Sequence, residues 1–117
     1  MKRLTITAAA LVATLAVPAL AGGPAVTVSG YAPLNAGGYQ MKTFVVAYGD
    51  LELSTPQGAA MLLDRIQNAS RVVCGERAIL PMSGERKREF AACQTRAIAT
   101  AVQAVNAPAL TQIAANR

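Results

Sequence analysis

Residues 44–66 read FVVAYGDLELSTPQGAAMLLDRI, and the architecture turns on how this stretch divides. Thr43 to Tyr48, TFVVAY, is short, β-branched and aromatic, which predicts a strand. Phe44, Val46 and Tyr48 share one side of that ribbon, while Leu51 and Leu53 fall on the other parity. The apolar phase therefore slips near Gly49, where a bend or bulge costs least. STPQ at 54–57 is a helix start. Ser54 or Thr55 can cap it, Pro56 suits its first turn, and Gln57 completes a capping-box spacing from Ser54. Behind it, Ala59, Leu62, Leu63, Ile66, Ala69 and Val73 recur at amphipathic-helix spacing. Gly75, after Cys74, is a natural C-terminal stop.

Outward from this stretch, GERAILPMSGE at 75–85 reads as a connection, because Pro81 and Gly84 forbid a continuous helix. Ser83 can cap a second helix, with Glu85 in its favourable first turn. That helix runs to about Asn106, with an apolar stripe of Phe90, Cys93, Ala97, Ile98, Ala101, Val102 and Val105. Pro108 breaks the pattern, and a short terminal helix follows. Upstream, GGPAVTVSGYAPLNAGGYQ is rich in Gly, Ala and Pro and uncharged. It reads as a flexible lead in which AVTVS can add a short strand. The expected fold is mainly α, with a small α+β arrangement as the alternative: a disulfide-stapled helical hairpin preceded by a short β-strand. The expected divisions are a signal peptide at 1–21, a flexible lead at 22–42 and one domain at 43–117.

The signal reading rests on order. Lys2 and Arg3 precede the apolar, charge-free run LTITAAALVATLAV, and Ala19-Leu20-Ala21 is a small-x-small cleavage site. The run is shorter than the roughly 20 apolar residues a membrane span requires. Cleavage after Ala21 implies an exported, periplasmic or secreted protein with no transmembrane segment in its mature chain. It removes two of the 11 Lys and Arg and none of the six Asp and Glu, so the net charge falls from +5 to +3. That is too little to argue for nucleic acid, and the scattered aromatics form no stacking platform. Cys74 and Cys93 are the two cysteines, and an exported small domain pairs such residues. The bond closes a loop of about 20 residues, worth about 3 kcal/mol in the chain-entropy model. Cys93 lies about nine residues into the second helix, about 14 Å along it. The first turns of that helix must therefore overhang the end of the first.

Asp50 and Glu52 raise the question of chemistry. An acid pair beside a helix start can hold a hard cation, yet Ca²⁺ takes six to eight oxygens, and Asp64 is the other acid nearby in sequence. The simpler account is a solvated strand edge and a turn residue bonding its own backbone. The chain has no histidine, which removes the usual general base, zinc ligand and triad partner. Ser54, Ser70 and Ser83 lack an evident base, and no phosphate-cradling loop follows the strand. ERKRE at 85–89 sets Arg86, Lys87 and Arg88 against two acids, as a solvated helix end does. The NAS triplet at Asn68 lies inside the predicted helix.

VAYGDLELSTPQGAAMLLDRIQNASRVVCG, then Cys93 and AVNAPAL, resembles the UrcA family of small exported bacterial proteins of uncharacterised function. The likeness is carried by Val46, Tyr48, Asp50, Leu51, Leu53, Ser54, Gly58, Arg65, Ile66, Ala69, Val73, Cys74 and Gly75. It continues through Cys93, Val105, Asn106, Pro108 and Leu110, and covers residues 43–110. The pair Ala69-Ser70 stands where the family commonly shows two alanines. The resemblance implies export and a shared domain, and no reaction. The expectation is a non-catalytic binding or structural module, an envelope component, with no catalytic, cofactor or metal site. Tyr48, Asp50, Leu51, Leu53, Ser54, Gly58 and Gly75 are expected to be structural. One alternative is a metal-binding protein or enzyme using Asp50, Glu52 and Asp64. Another is a binder of anionic envelope polymers through Arg86, Lys87 and Arg88.

Overall fold

The computed structural model of the protein describes residues 23–34, 36–75 and 83–117. The expected signal peptide at 1–21 and most of the connection at 75–85 lie outside the described residues. Two strands and three helices follow in order: β1 (Ala25–Pro33), β2 (Tyr39–Ala47), α1 (Pro56–Val73), α2 (Gly84–Val105) and α3 (Pro108–Ala115).

The stretch at 22–42 read as a flexible lead holds β1 and the first residues of β2. The strands form an antiparallel hairpin in regular register, Ala25 opposite Ala47 through to Pro33 opposite Tyr39. The single short strand expected at 43–48 is thus the end of a longer one, and it has a partner. β1 alternates as a half-buried strand should: Val26, Val28, Gly30 and Ala32 are buried, while Thr27, Ser29 and Tyr31 are exposed. The hairpin loop closes with Leu34 N–H donating to Gly38 O and Gly37 N–H to Leu34 O.

α1 is the centre of the molecule. Every residue of its predicted stripe, Ala59, Leu62, Leu63, Ile66, Ala69 and Val73, is buried. Its N-cap is Thr55, whose Oγ1 accepts from Gly58 N–H at 3.1 Å. Pro56 at the first helical position places the cap one residue before it, so Ser54 is left exposed in the preceding turn. The helix stops at Gly75, whose φ of +79° is left-handed and whose missing Cβ makes room for Ala32 of β1. α2 begins at Ser83, whose hydroxyl accepts from Arg86 N–H, and ends at Asn106 in the left-handed region. Of its stripe, Cys93, Ala97, Ala101 and Val102 are buried, and Phe90, Ile98 and Val105 are half-buried against the core. α1 and α2 cover the inner face of the hairpin, and α3 inserts Leu110 into the core beside α1.

Cys74 and Cys93 form the disulfide, with Cα atoms 5.9 Å apart. The residues of α2 before Cys93 accordingly extend past the end of α1 and reach the hairpin, where the Tyr39 hydroxyl donates to Glu89 Oε2 at 3.0 Å.

Candidate functional site

The eight residues YGDLELST between β2 and α1 form a compact junction that fastens the hairpin to the helix. At its start, Tyr48 N–H donates to Pro24 O and Leu51 N–H to Tyr48 O, so the chain turns as soon as the strand ends. Tyr48, Leu51 and Leu53 are half-buried against the core. The two leucines sit in turns rather than on a continuing strand, which accounts for the parity slip at Gly49. Asp50 and Glu52 therefore do not line a strand edge.

Asp50 faces Arg65, 15 residues away on α1. The contact is bidentate, Nη1 to Oδ1 at 2.9 Å and Nη2 to Oδ2 at 2.7 Å. Arg65 Nη1 also donates to Ala47 O at 2.9 Å, so one guanidinium ties the end of β2, the junction and the helix together. Planar fork-to-fork pairing is what arginine does and lysine does not. The Arg65 hydrogen bonds, followed by one from its own backbone N–H, hold the Asp50 carboxyl down at about 2. The pair is partly open to water, with Asp50 63 % exposed, so it serves geometry more than net stability.

Glu52 contributes through its backbone. Its carbonyl accepts from Thr55 N–H at 3.1 Å and from Thr55 Oγ1 at 2.7 Å, and it lies directly against Gly58. A Cβ at position 58 would land on that carbonyl, so the first turn of α1 closes only with glycine there. Asp64 pairs with Arg117 beyond α3, Oδ1 to Nη1 at 3.0 Å. The structure thus does not bring Asp50, Glu52 and Asp64 together. Among the described residues no group of three or more His, Cys, Asp or Glu is placed to hold a metal ion.

Two other clusters lie apart from the junction. The disulfide packs beneath Gly30 of β1, where an added Cβ would come within 3.1 Å of Cys74 Sγ and 3.2 Å of Cys93 Sγ. Beside it, Tyr31, Tyr39, Arg86, Glu89 and Phe90 enclose a cavity of about 20 Å³, room for about one water. The Glu89 hydrogen bond raises the Tyr39 phenol above its ordinary value. Ser70 is buried and donates to Gln67 O at 2.6 Å, with Gln94 Nε2 of α2 within 3.5 Å of its oxygen. Ser83 is spent on the α2 cap. Arg86 and Lys87 to Arg88 are exposed on the overhanging end of α2, as a solvated helix end should be, and Asn68 is exposed within α1.

Arg65 and Gly30 are the residues whose roles were not anticipated. Arg65 sits in the UrcA-like pattern, but a partner 15 residues distant leaves no local trace. Gly30 reads as composition until the disulfide is placed behind it. Comparison with family models, with curated proteins and with solved structures finds no match to this chain. Among the described residues, no helix is long and apolar enough to cross a membrane.

Proposed function

We propose that the protein is an exported, UrcA-like module of the bacterial envelope or its surroundings that acts by binding or by structure rather than by catalysis. The observation that carries this reading is the engagement of its acids. Asp50 and Asp64, the acids that invite a chemical role, are occupied by Arg65 and Arg117, and Glu52 works through its carbonyl. The buried disulfide supports export, because such bonds persist in oxidising compartments.

The deciding experiment is capture of partners by the oxidised protein from its own envelope extract, with mass spectrometry of its N-terminus alongside. A native chain beginning at Gly22 and a saturable envelope partner support the reading. An intact Met1 on a cytoplasmic protein refutes it. Titration with Ca²⁺ or Mn²⁺ should leave the melting temperature unchanged, since a specific site would raise it by linkage.

A further inference from the structure

β1 and β2 make a sheet with two edges, and the helices do not treat those edges alike. Tyr48 N–H donates to Pro24 O, and the register is regular from there. Antiparallel pairing alternates, so the backbone groups of Val46, Phe44, Lys42 and Gln40 point at β1. Those of Ala47, Val45, Thr43, Met41 and Tyr39 point away from it. Two contacts agree with this phase: Ala47 O is reached by Arg65, and on the other strand Tyr31 O lies 3.7 Å from Cys93 Sγ. Among the described residues, α2 therefore screens the β1 edge, while the β2 edge is engaged only at Ala47.

The open edge is apolar. Met41 is 61 % exposed, Phe44 46 % and Val45 64 %, and Val72 of α1 stands beside them at 54 %. Between the strand and α1 runs an open groove of about 310 Å³ lined by Phe44, Val45, Val46, Ala69 and Val72, with Arg65 and Asn68 at its polar side. A long apolar strand edge of this kind invites another strand.

We propose that this edge joins a second copy of the chain, β2 against β2 in antiparallel sense about a twofold axis at Thr43, giving one continuous sheet across the dimer. The proposal goes beyond the reading above and does not depend on export or on the family likeness. The strand's own sequence selects both the partner and the register. With the axis at Thr43, Met41, Thr43 and Val45 exchange N–H···O bonds with the partner's Val45, the partner's Thr43 and the partner's Met41. The outer face then pairs Thr with Thr and Met with Val, combinations that suit cross-strand neighbours. On the inner face Phe44 and the partner's Phe44 become diagonal neighbours over the groove, flanked by Val72 from each copy. Lys42 is the one charge on β2. An axis at Lys42 would set like charges face to face, whereas the axis at Thr43 sets Lys42 opposite the partner's Phe44 and moves the two lysines, long and exposed, out to the diagonal. Nothing along the seam calls for a charged foreign peptide, because Arg65 is already satisfied by Asp50.

The test is sedimentation equilibrium of the oxidised protein across the micromolar range, with two variants at the exposed position 43. The wild type should be a reversible dimer. Thr43→Lys and Thr43→Asp should each weaken self-association about fivefold or more, because each sets like charges together at the axis. Mixing the two variants should restore a heterodimer, since position 43 faces only itself. Melting curves of the variants confirm that they fold. A wild type that stays monomeric throughout, or variants that dimerise as the wild type does, would overturn the proposal. So would a monomer whose β2 amides exchange freely until an added envelope peptide protects them, which would give the edge to a foreign strand.

Discussion

Gly30→Ala should destabilise the protein, although alanine is the better strand residue. Glycine in a strand interior ordinarily costs about 0.5–1 kcal/mol relative to alanine. At position 30 the added methyl meets Val73 Cγ2 at 2.8 Å, Cys74 Sγ at 3.1 Å and Cys93 Sγ at 3.2 Å. None of these can step aside. Val73 is β-branched and fully buried, and the sulfurs are bonded to each other from two helices. Overpacking of this kind costs about 1–3 kcal/mol. Net of the propensity gain, the loss is about 0–2.5 kcal/mol, centred near 1 kcal/mol, which is about 4–8 °C in melting temperature for a domain of this size. The assay is thermal unfolding of the oxidised protein by circular dichroism. Val73→Ala in the same chain removes the closest obstacle, so the double variant should lose less than the sum of the singles by at least about 0.5 kcal/mol. A Gly30→Ala protein that melts at or above the wild type, or singles that simply add, would refute the placement of the disulfide against β1.

Three further outcomes follow from the junction and the staple. Gly58→Ala should lower the melting temperature, reversing the roughly 1 kcal/mol gain that Gly→Ala brings inside an unobstructed helix, because its methyl meets the Glu52 carbonyl; thermal unfolding decides the sign. Replacing Cys74 and Cys93 together with serine should cost about 2–5 kcal/mol, read by denaturant unfolding, and the native protein should show no free thiol. The stability difference between wild type and Asp50→Asn should be level at neutral pH and shrink on acidification. The folded carboxyl is held at about 2, below its ordinary 3.8, so its contribution is complete above the ordinary value and is lost as pH falls through the folded one. A difference that persists below pH 2 would count against the Arg65 pairing.

What was legible in the sequence was local. The α1 stripe, the Ser83 cap and the stop at Asn106 each announce themselves within a few residues, the cap before Pro56 falls to Thr55 rather than to a Ser54–Gln57 box, and the two cysteines, 19 residues apart, are paired. The mainly helical class follows from those signals. The hairpin was hidden for a physical reason. β1 begins with a clear Val-Thr-Val-Ser alternation, but its next inward positions are Gly30 and Ala32, small because the disulfide and Gly75 occupy the space a larger side chain would take. The apolar rhythm fades where packing is tightest, and the segment then resembles a linker. Asp50 was visible as a residue but not as a latch, because its partner is a turn of helix brought near only by the fold.

The placement of the motif residues bears on how this protein works. Tyr48, Leu51 and Leu53 pack inward, Asp50 and Thr55 tie the junction to α1, Gly58 admits the Glu52 backbone of the junction, and Gly75 admits Ala32 of β1. Ser54 is exposed in the turn and caps nothing, since Thr55 takes the cap. The stretch joins the hairpin to the helix through packing, the Asp50–Arg65 pair and the Thr55 cap. The surface it leaves open is of another kind: strand backbone along β2, with Met41, Phe44 and Val45 standing beside it. Such a surface recognises extended chain through main-chain hydrogen bonds and alternate side chains rather than through a pocket. The association proposed above would use this edge, with the Asp50–Arg65 latch and the disulfide holding the hairpin against the helices behind it.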